Sequence, residues 1–123
     1  MIFVDANVLL EVILKRNNQK ACERLLSDNN DKAISILTVD LVMYFVEKDK
    51  LSWQPIKTFL DSFHWLPILD TDVTWAFSNF NGDDFEDALQ ISCAIRENCK
   101  VFATLDELLA AKYGQILPVK LLR

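Results

Sequence analysis

The chain has 123 residues, a formal net charge of −5, 51% apolar residues including eight Phe and three Trp, and only two Gly and three Pro. That length fits one domain, spanning residues 1–123, able to bury roughly two-thirds of the surface its unfolded form exposes, and the apolar content excludes disorder. The acidic balance excludes a general nucleic-acid coat, which would draw its affinity from Lys and Arg at phosphates, but leaves open chemistry on nucleic acid at a site neutralised by metal ions.

Taken in order, residues 2–4 (IFV) form a short apolar run ending at Asp5, and Val8, Leu9, Val12 and Ile13 then recur at helical spacing. NNQ at 17–19 breaks that pattern before a second amphipathic helix carrying Ala21, Cys22, Leu25 and Leu26. KAISIL (32–37) reads as a buried strand, followed by a helix through residue 48 with Thr38 as its N-cap. A further helix is expected over 53–63, with Pro55 tolerated in its first turn. HWLPIL (64–69) is a strand confined to an edge or a strand end by Pro67. Thr71 or Asp72 opens a helix to about Asn79, the acidic stretch NGDDFEDALQ opens the next, and KVFAT (100–104) is β-prone. DELLAAKY is a short helix stopped by Gly114, and QILPVK (115–120) is a last strand. Strands alternating with helices predict βαβ crossovers, and so a three-layer α/β/α sandwich around a central, mainly parallel sheet.

In such sheets ligands bind beyond the carboxyl ends of the strands. Asp5 ends the first strand, Asp106 lies two residues beyond VFAT, and Asp87 borders the buried stripe of a helix through Ile91 and Ala94. If that helix starts near the same sheet edge, the three acids converge. Asp5, Asp84 and Asp106 also have a plainer reading as helix caps, each cap contributing about 1 kcal/mol. Asp84 sits beside Asp87 on one face, whereas Asp83 and Glu86 are read as acids favoured by the helix dipole and facing solvent. Carboxylates about 4 Å apart repel by roughly 1 kcal/mol in water and about 4 at an effective dielectric of 20, so a cluster should raise a pKa or recruit a cation. Oxygen donors without a placed Cys or His suit Mg²⁺ or Mn²⁺ rather than zinc, and the chemistry implied is metal-assisted phosphodiester hydrolysis.

IFVDANVLLEV, DFEDALQISCA and VFATLD, in that order and spacing, resemble the PIN-domain family, and ISILTVDLV resembles the segment after its second strand. The resemblance runs through most of the chain. It implies a Mg²⁺- or Mn²⁺-dependent ribonuclease on a parallel α/β/α fold, often the VapC-type toxin of a toxin–antitoxin pair. By position, Asp5, Asp87 and Asp106 match the family's metal-site acids, and Asp84 matches an additional acid of some members. Asn7 and Thr104 match polar residues that hold those acids in place. The departure is at the second acid: many members carry Glu six residues after the Ser matching Ser35, but this chain has Leu41. Asp40 is adjacent, turned by about 100° on a helix, and is the substitute ligand available from sequence.

Lys15, Arg16, Lys20 and Arg24 form the densest basic cluster, read as a solvated helix face or, for Lys15, Arg16 and Lys20, as an RNA-backbone contact. His64 reads as structural. Cys22, Cys93 and Cys99 lack CxxC spacing and read as reduced core thiols. No leader and no apolar stretch of about twenty residues is present, so the expected location is the cytoplasm, away from membranes. The apolar block 41–60 offers Met43, Phe45 or Trp53 to a homodimer or antitoxin surface. The leading function is therefore an endoribonuclease using Asp5, Asp87 and Asp106. The alternatives are a degenerate PIN domain that binds protein or RNA without cutting, favoured by Leu41, and a receiver-type phosphoacceptor. A receiver wants adjacent acids at the first strand's end, and a haloacid-dehalogenase-like phosphatase wants Asp-x-Asp; position 7 is Asn.

Overall fold

Alternate side chains of the central strands point to opposite faces, and that alternation builds the layers. The computed structural model describes residues 1–122. Its strands are β1 (Ile2–Val4), β2 (Lys32–Ser35), β3 (His64–Leu66), β4 (Val101–Thr104) and β5 (Val119–Leu121). All pair in parallel, in the order β3-β2-β1-β4-β5. Phe3, Ala33 and Phe102 face one side, with the Phe3 and Phe102 rings stacked at 5.1 Å, beneath α5 (Asp70–Asn79), α6 (Phe85–Arg96) and α7 (Glu107–Tyr113). Val4, Ile34 and Ala103 face the other, beneath α1 (Ala6–Ile13), α2 (Gln19–Asp28), α3 (Ile36–Lys48) and α4 (Trp53–Leu60). The expected three-layer α/β/α sandwich is present, and its sheet is parallel throughout. A receiver-type sheet runs 2-1-3-4-5, so the strand order removes the phosphoacceptor alternative.

Several boundaries differ from expectation. The second strand stops at Ser35 rather than running through 37, and Ser35, not Thr38, caps α3: its Oγ accepts the Thr38 N–H at 3.2 Å. A hydroxyl that satisfies an orphan donor ends the strand two residues early. The helix expected over 53–63 ends at Leu60, whose carbonyl accepts the Trp65 indole N–H at 2.8 Å. β3 is an edge strand, as Pro67 requires, but it closes at Leu66. α5 starts at Asp70 because the Asp72 carboxylate accepts the Leu69 N–H at 2.8 Å. Residues 115–117 turn instead of pairing, since Ile116 and Leu117 donate back to the Tyr113 carbonyl, and β5 begins at Val119, just after Pro118, whose carbonyl accepts the Phe102 N–H at 2.9 Å.

His64 pairs with Asp31 at 3.0 Å, in keeping with a structural role. The three cysteines are free and buried, and burial pushes their thiols up to about 11 for Cys22 and Cys99 and about 12 for Cys93. No described helix is long and apolar enough to cross a membrane. Met43 and Phe45 pack against the core, whereas Trp53 is 54% exposed.

Candidate active site

From β1 the chain crosses to β2 on one side, and β4 later pairs on the other. The crevice between the carboxyl ends of β1 and β4 is therefore the topological switch point. Val4 stands opposite Ala103, so the next residues of the two strands, Asp5 and Thr104, meet at its floor. The Thr104 hydroxyl donates to Asp5 Oδ2 at 2.8 Å and accepts from Asn7 Nδ2 at 3.2 Å and from the Asp106 amide at 3.0 Å. Asn7 Oδ1 in turn accepts the Leu105 N–H at 3.3 Å. Asn7 and Thr104 thus tie the start of α1 to the end of β4, and the β1 acid to the segment carrying Asp106.

Asp5 occupies the N-cap position of α1 but makes no side-chain capping bond; its carboxylate turns to Thr104 instead. It is 4% exposed. Burial pushes its carboxyl up to about 7, against the Thr104 hydrogen bond and with help from the charges of Glu86 and Asp87. Asp87, half-buried in the first turn of α6, is also pushed up to about 7, by burial and then by Glu86, Asp106 and Asp84. Asp106 does cap α7: its Oδ1 accepts the Leu108 and Leu109 amides at 2.9 and 3.1 Å.

Asp5, Asp87 and Asp106 line one crevice of about 240 Å³, together with Asn7, Glu86, Leu41 and Phe45. Glu86 was expected to face solvent. It is exposed and also borders this crevice, because α6 begins at the same sheet edge and brings Glu86 and Asp87 of its first turn to the mouth. The signal in the sequence was Gln90, four residues on: its Nε2 donates to Glu86 Oε1 at 3.5 Å. Gln90 is fully buried, accepting from Ser35 Oγ at 2.6 Å and donating to Thr38 Oγ1 at 2.9 Å.

Other candidates lie elsewhere. Leu41 faces the crevice, whereas Asp40 lines a separate hollow with Ile36, Leu37, Ile68 and Leu89; the 100° turn between neighbours on a helix carries Asp40 away. Lys15 and Arg16 follow the far end of α1, roughly 12 Å from Asp5 along the helix, and Lys20 lies beyond them on α2. Asp84 lines a neighbouring hollow of about 470 Å³ that shares Asp87 and Asp106 and also holds Asn81, Asp83 and Lys112. Its Oδ2 accepts from Lys112 Nζ and, at 2.9 Å, from the Tyr113 hydroxyl. Burial would raise the Asp84 carboxyl, but Lys112, the Asn81 amide and Tyr113 outweigh it and hold the group down to about 2.

The donor set fits a hard divalent cation. Asp5, Glu86, Asp87 and Asp106 offer only oxygens, and Asp5 and Asp87 carry the unfavourable charge that such a cation would relieve. Among the described residues, no three His, Cys, Asp or Glu side chains are already drawn together as a cage.

A parallel α/β/α sandwich with carboxylates gathered at its β1/β4 switch point is the class that fold and site define. The sequence matches the PIN domain over residues 2–115, and the chain belongs to that family. No curated protein matches the sequence. Among solved structures, a toxin–antitoxin complex from Klebsiella pneumoniae aligns with a TM-score of 0.77 at 17% identity, covering 98% of this chain and 96% of that one. VapBC2 from Rickettsia felis, bound to a DNA fragment from its promoter, aligns at 0.69 and 21% identity over the whole of both chains. VapC20 from Mycobacterium tuberculosis, a sarcin–ricin loop cleaving toxin, aligns at 0.74 and 11% identity over 90% and 94%. At these identities the likeness is one of fold.

Proposed function

We propose that the chain is a Mg²⁺- or Mn²⁺-dependent endoribonuclease that hydrolyses RNA phosphodiester bonds and serves as the toxin of a toxin–antitoxin pair. The observation that carries this reading is the switch-point crevice, where two carboxyls are held up at about 7 with no cationic side chain lining it. Asp5, Asp87 and Asp106 would hold the cation, with Glu86 as the fourth carboxylate where Leu41 brings none. A divalent ion bound there supplies charge stabilisation for the phosphodiester in transition and makes water more acidic. Thr104, fixed by Asn7, orients Asp5, and Leu41 and Phe45 form an apolar wall beside the acids. Family membership supports nuclease chemistry, and the toxin–antitoxin neighbours support an antitoxin partner. Exposed Tyr44 and Trp53 are available to an antitoxin or to a second copy of the chain.

The test is cleavage of single-stranded RNA with Mn²⁺ or Mg²⁺ by the wild type, Asp5→Asn and Asp87→Asn. Loss of cleavage in both variants is expected, and equal activity in all three would falsify the assignment. Leu41 in the crevice favours a second reading, a degenerate PIN domain that binds without cutting. That reading prevails if the wild type is inactive and its melting temperature does not respond to Mn²⁺.

A further inference from the structure

The helices that carry Asp87 and Asp106 are joined by a contact outside the crevice. Asp84 stands at the N-cap position of α6, three residues before Asp87, yet makes no capping bond. Its Oδ1 accepts the Asn81 amide, and its Oδ2 accepts Lys112 Nζ and the Tyr113 hydroxyl. Lys112 and Tyr113 close the last turn of α7, the helix that Asp106 caps with its own Oδ1. Tyr113 is 1% exposed and packs near Trp75, with ring centroids 6.2 Å apart, so this end of the tie is anchored in the core. The Lys112 ammonium lies 4.9 Å from the Tyr113 ring centroid, which further limits its freedom. The segment entering α6 has little else to hold it on this side. Asn81, Gly82 and Asp83 are exposed, and Gly82, at φ 95°, has open space where a Cβ would stand. Phe85 fixes the opposite side by packing on Phe77 and Phe80 of the α5 end, with centroids at 4.8 and 5.2 Å.

We propose that Asp84 is a positioning residue: through Lys112 and Tyr113 it ties the first turn of α6 to α7 and so sets the spacing of Asp87 and Asp106. The inference rests on reading the crevice as a divalent-cation site. It reassigns Asp84, which the sequence resemblance places among the metal acids, because both of its oxygens already hold protein donors and it lines the neighbouring hollow rather than the crevice.

Charge and geometry make opposite predictions here, so the two can be separated. If only charge mattered, Asp84→Asn would weaken Mn²⁺ binding, Lys112→Met would tighten it, and the double variant, which keeps the local charge sum, would bind as the wild type does. The tie predicts that all three variants weaken Mn²⁺ binding by about tenfold, the double no more than either single, while Lys112→Arg retains most of the affinity. Calorimetric titration of metal-free protein with Mn²⁺ reads this without any turnover. Amide hydrogen exchange over residues 85–88 is expected to quicken equally in the two single variants, with the sheet unchanged. Tighter binding in Lys112→Met or wild-type affinity in the double variant would each overturn the positioning role. A wild type that binds no Mn²⁺ overturns the cation reading itself, an outcome visible before any variant is compared.

Discussion

Asp5 and Asp72 are the same side chain, both shielded from solvent at 4% and 1% exposed though Asp5 lies far deeper among protein atoms, and their carboxyls move in opposite directions. Burial raises both. For Asp72 that effect is outweighed by Arg96, whose Nε and Nη2 approach within 3.1–3.3 Å, by the Leu69 amide at 2.8 Å and by Ser92 Oγ at 2.8 Å, and the carboxyl is held below its usual range. Asp5 has the Thr104 hydroxyl and faces Glu86 and Asp87, so it stays up at about 7. Where a buried carboxylate holds helices together, as between α5 and α6, the fold supplies the counter-charge. Where it lines the switch-point crevice, the fold places no cationic side chain beside it.

The comparison breaks most visibly on the paired side. Arg96→Met leaves Asp72 buried without its cation and is expected to destabilise the chain by about 3–5 kcal/mol in urea denaturation, while the remaining folded protein still cleaves RNA. On the unpaired side, Asp5→Asn is expected to lower Mn²⁺-dependent cleavage roughly 100-fold and to raise the melting temperature of metal-free protein at pH 8, since an unfavourable buried charge is gone. Thr104→Val keeps the shape but removes the hydroxyl that orients Asp5. A loss of roughly 10-fold in Mn²⁺ affinity by calorimetry is expected.

The smallest effect is in pH. Folded-state pKa values of about 7 for Asp5 and Asp87 exceed the unfolded value of about 3.9, so their stabilising contribution is complete below about pH 4 and is lost as pH rises through about 7. Metal-free protein should therefore melt a few degrees lower at pH 8 than at pH 5, and Mn²⁺ should remove the difference. Asp72, with its depressed pKa, acts in the other direction: its contribution is present above about pH 3.9 and falls away in stronger acid. A metal-free melting temperature that rises between pH 5 and 8 would contradict the account of Asp5 and Asp87.

How much of this could be read beforehand depended on the range of the interaction. Strand–helix alternation is local and periodic, so the layers and the parallel sheet were legible. The placement of Asp5, Asp87 and Asp106 in one crevice followed from the rule that parallel sheets bind ligands at their carboxyl edge. Element ends were not legible where one side chain decided them, as with the Ser35 hydroxyl on the Thr38 amide. The partner of Asp84 was also hidden: Lys112 is 28 residues away on another helix, and no spacing rule links the two. Glu86 is exposed, as periodicity implies, but its place beside the crevice was hidden, because periodicity separates a buried from an exposed face and does not say which exposed side chains border a crevice mouth.

The central hydrogen bond of the crevice, from Thr104 to Asp5, spans 99 positions of the chain. Its floor exists only when β4 has docked beside β1, and so only after residue 104 has been made. During translation the first strand emerges before Thr104 exists to meet Asp5, so the crevice would assemble only once the fourth strand has cleared the exit tunnel. For a protein proposed to cut RNA, this delay separates its own synthesis from its activity. Nascent chains arrested before residue 101 are expected to lack any Mn²⁺-dependent nuclease activity, and cleavage by such a chain would show that the crevice can assemble without β4.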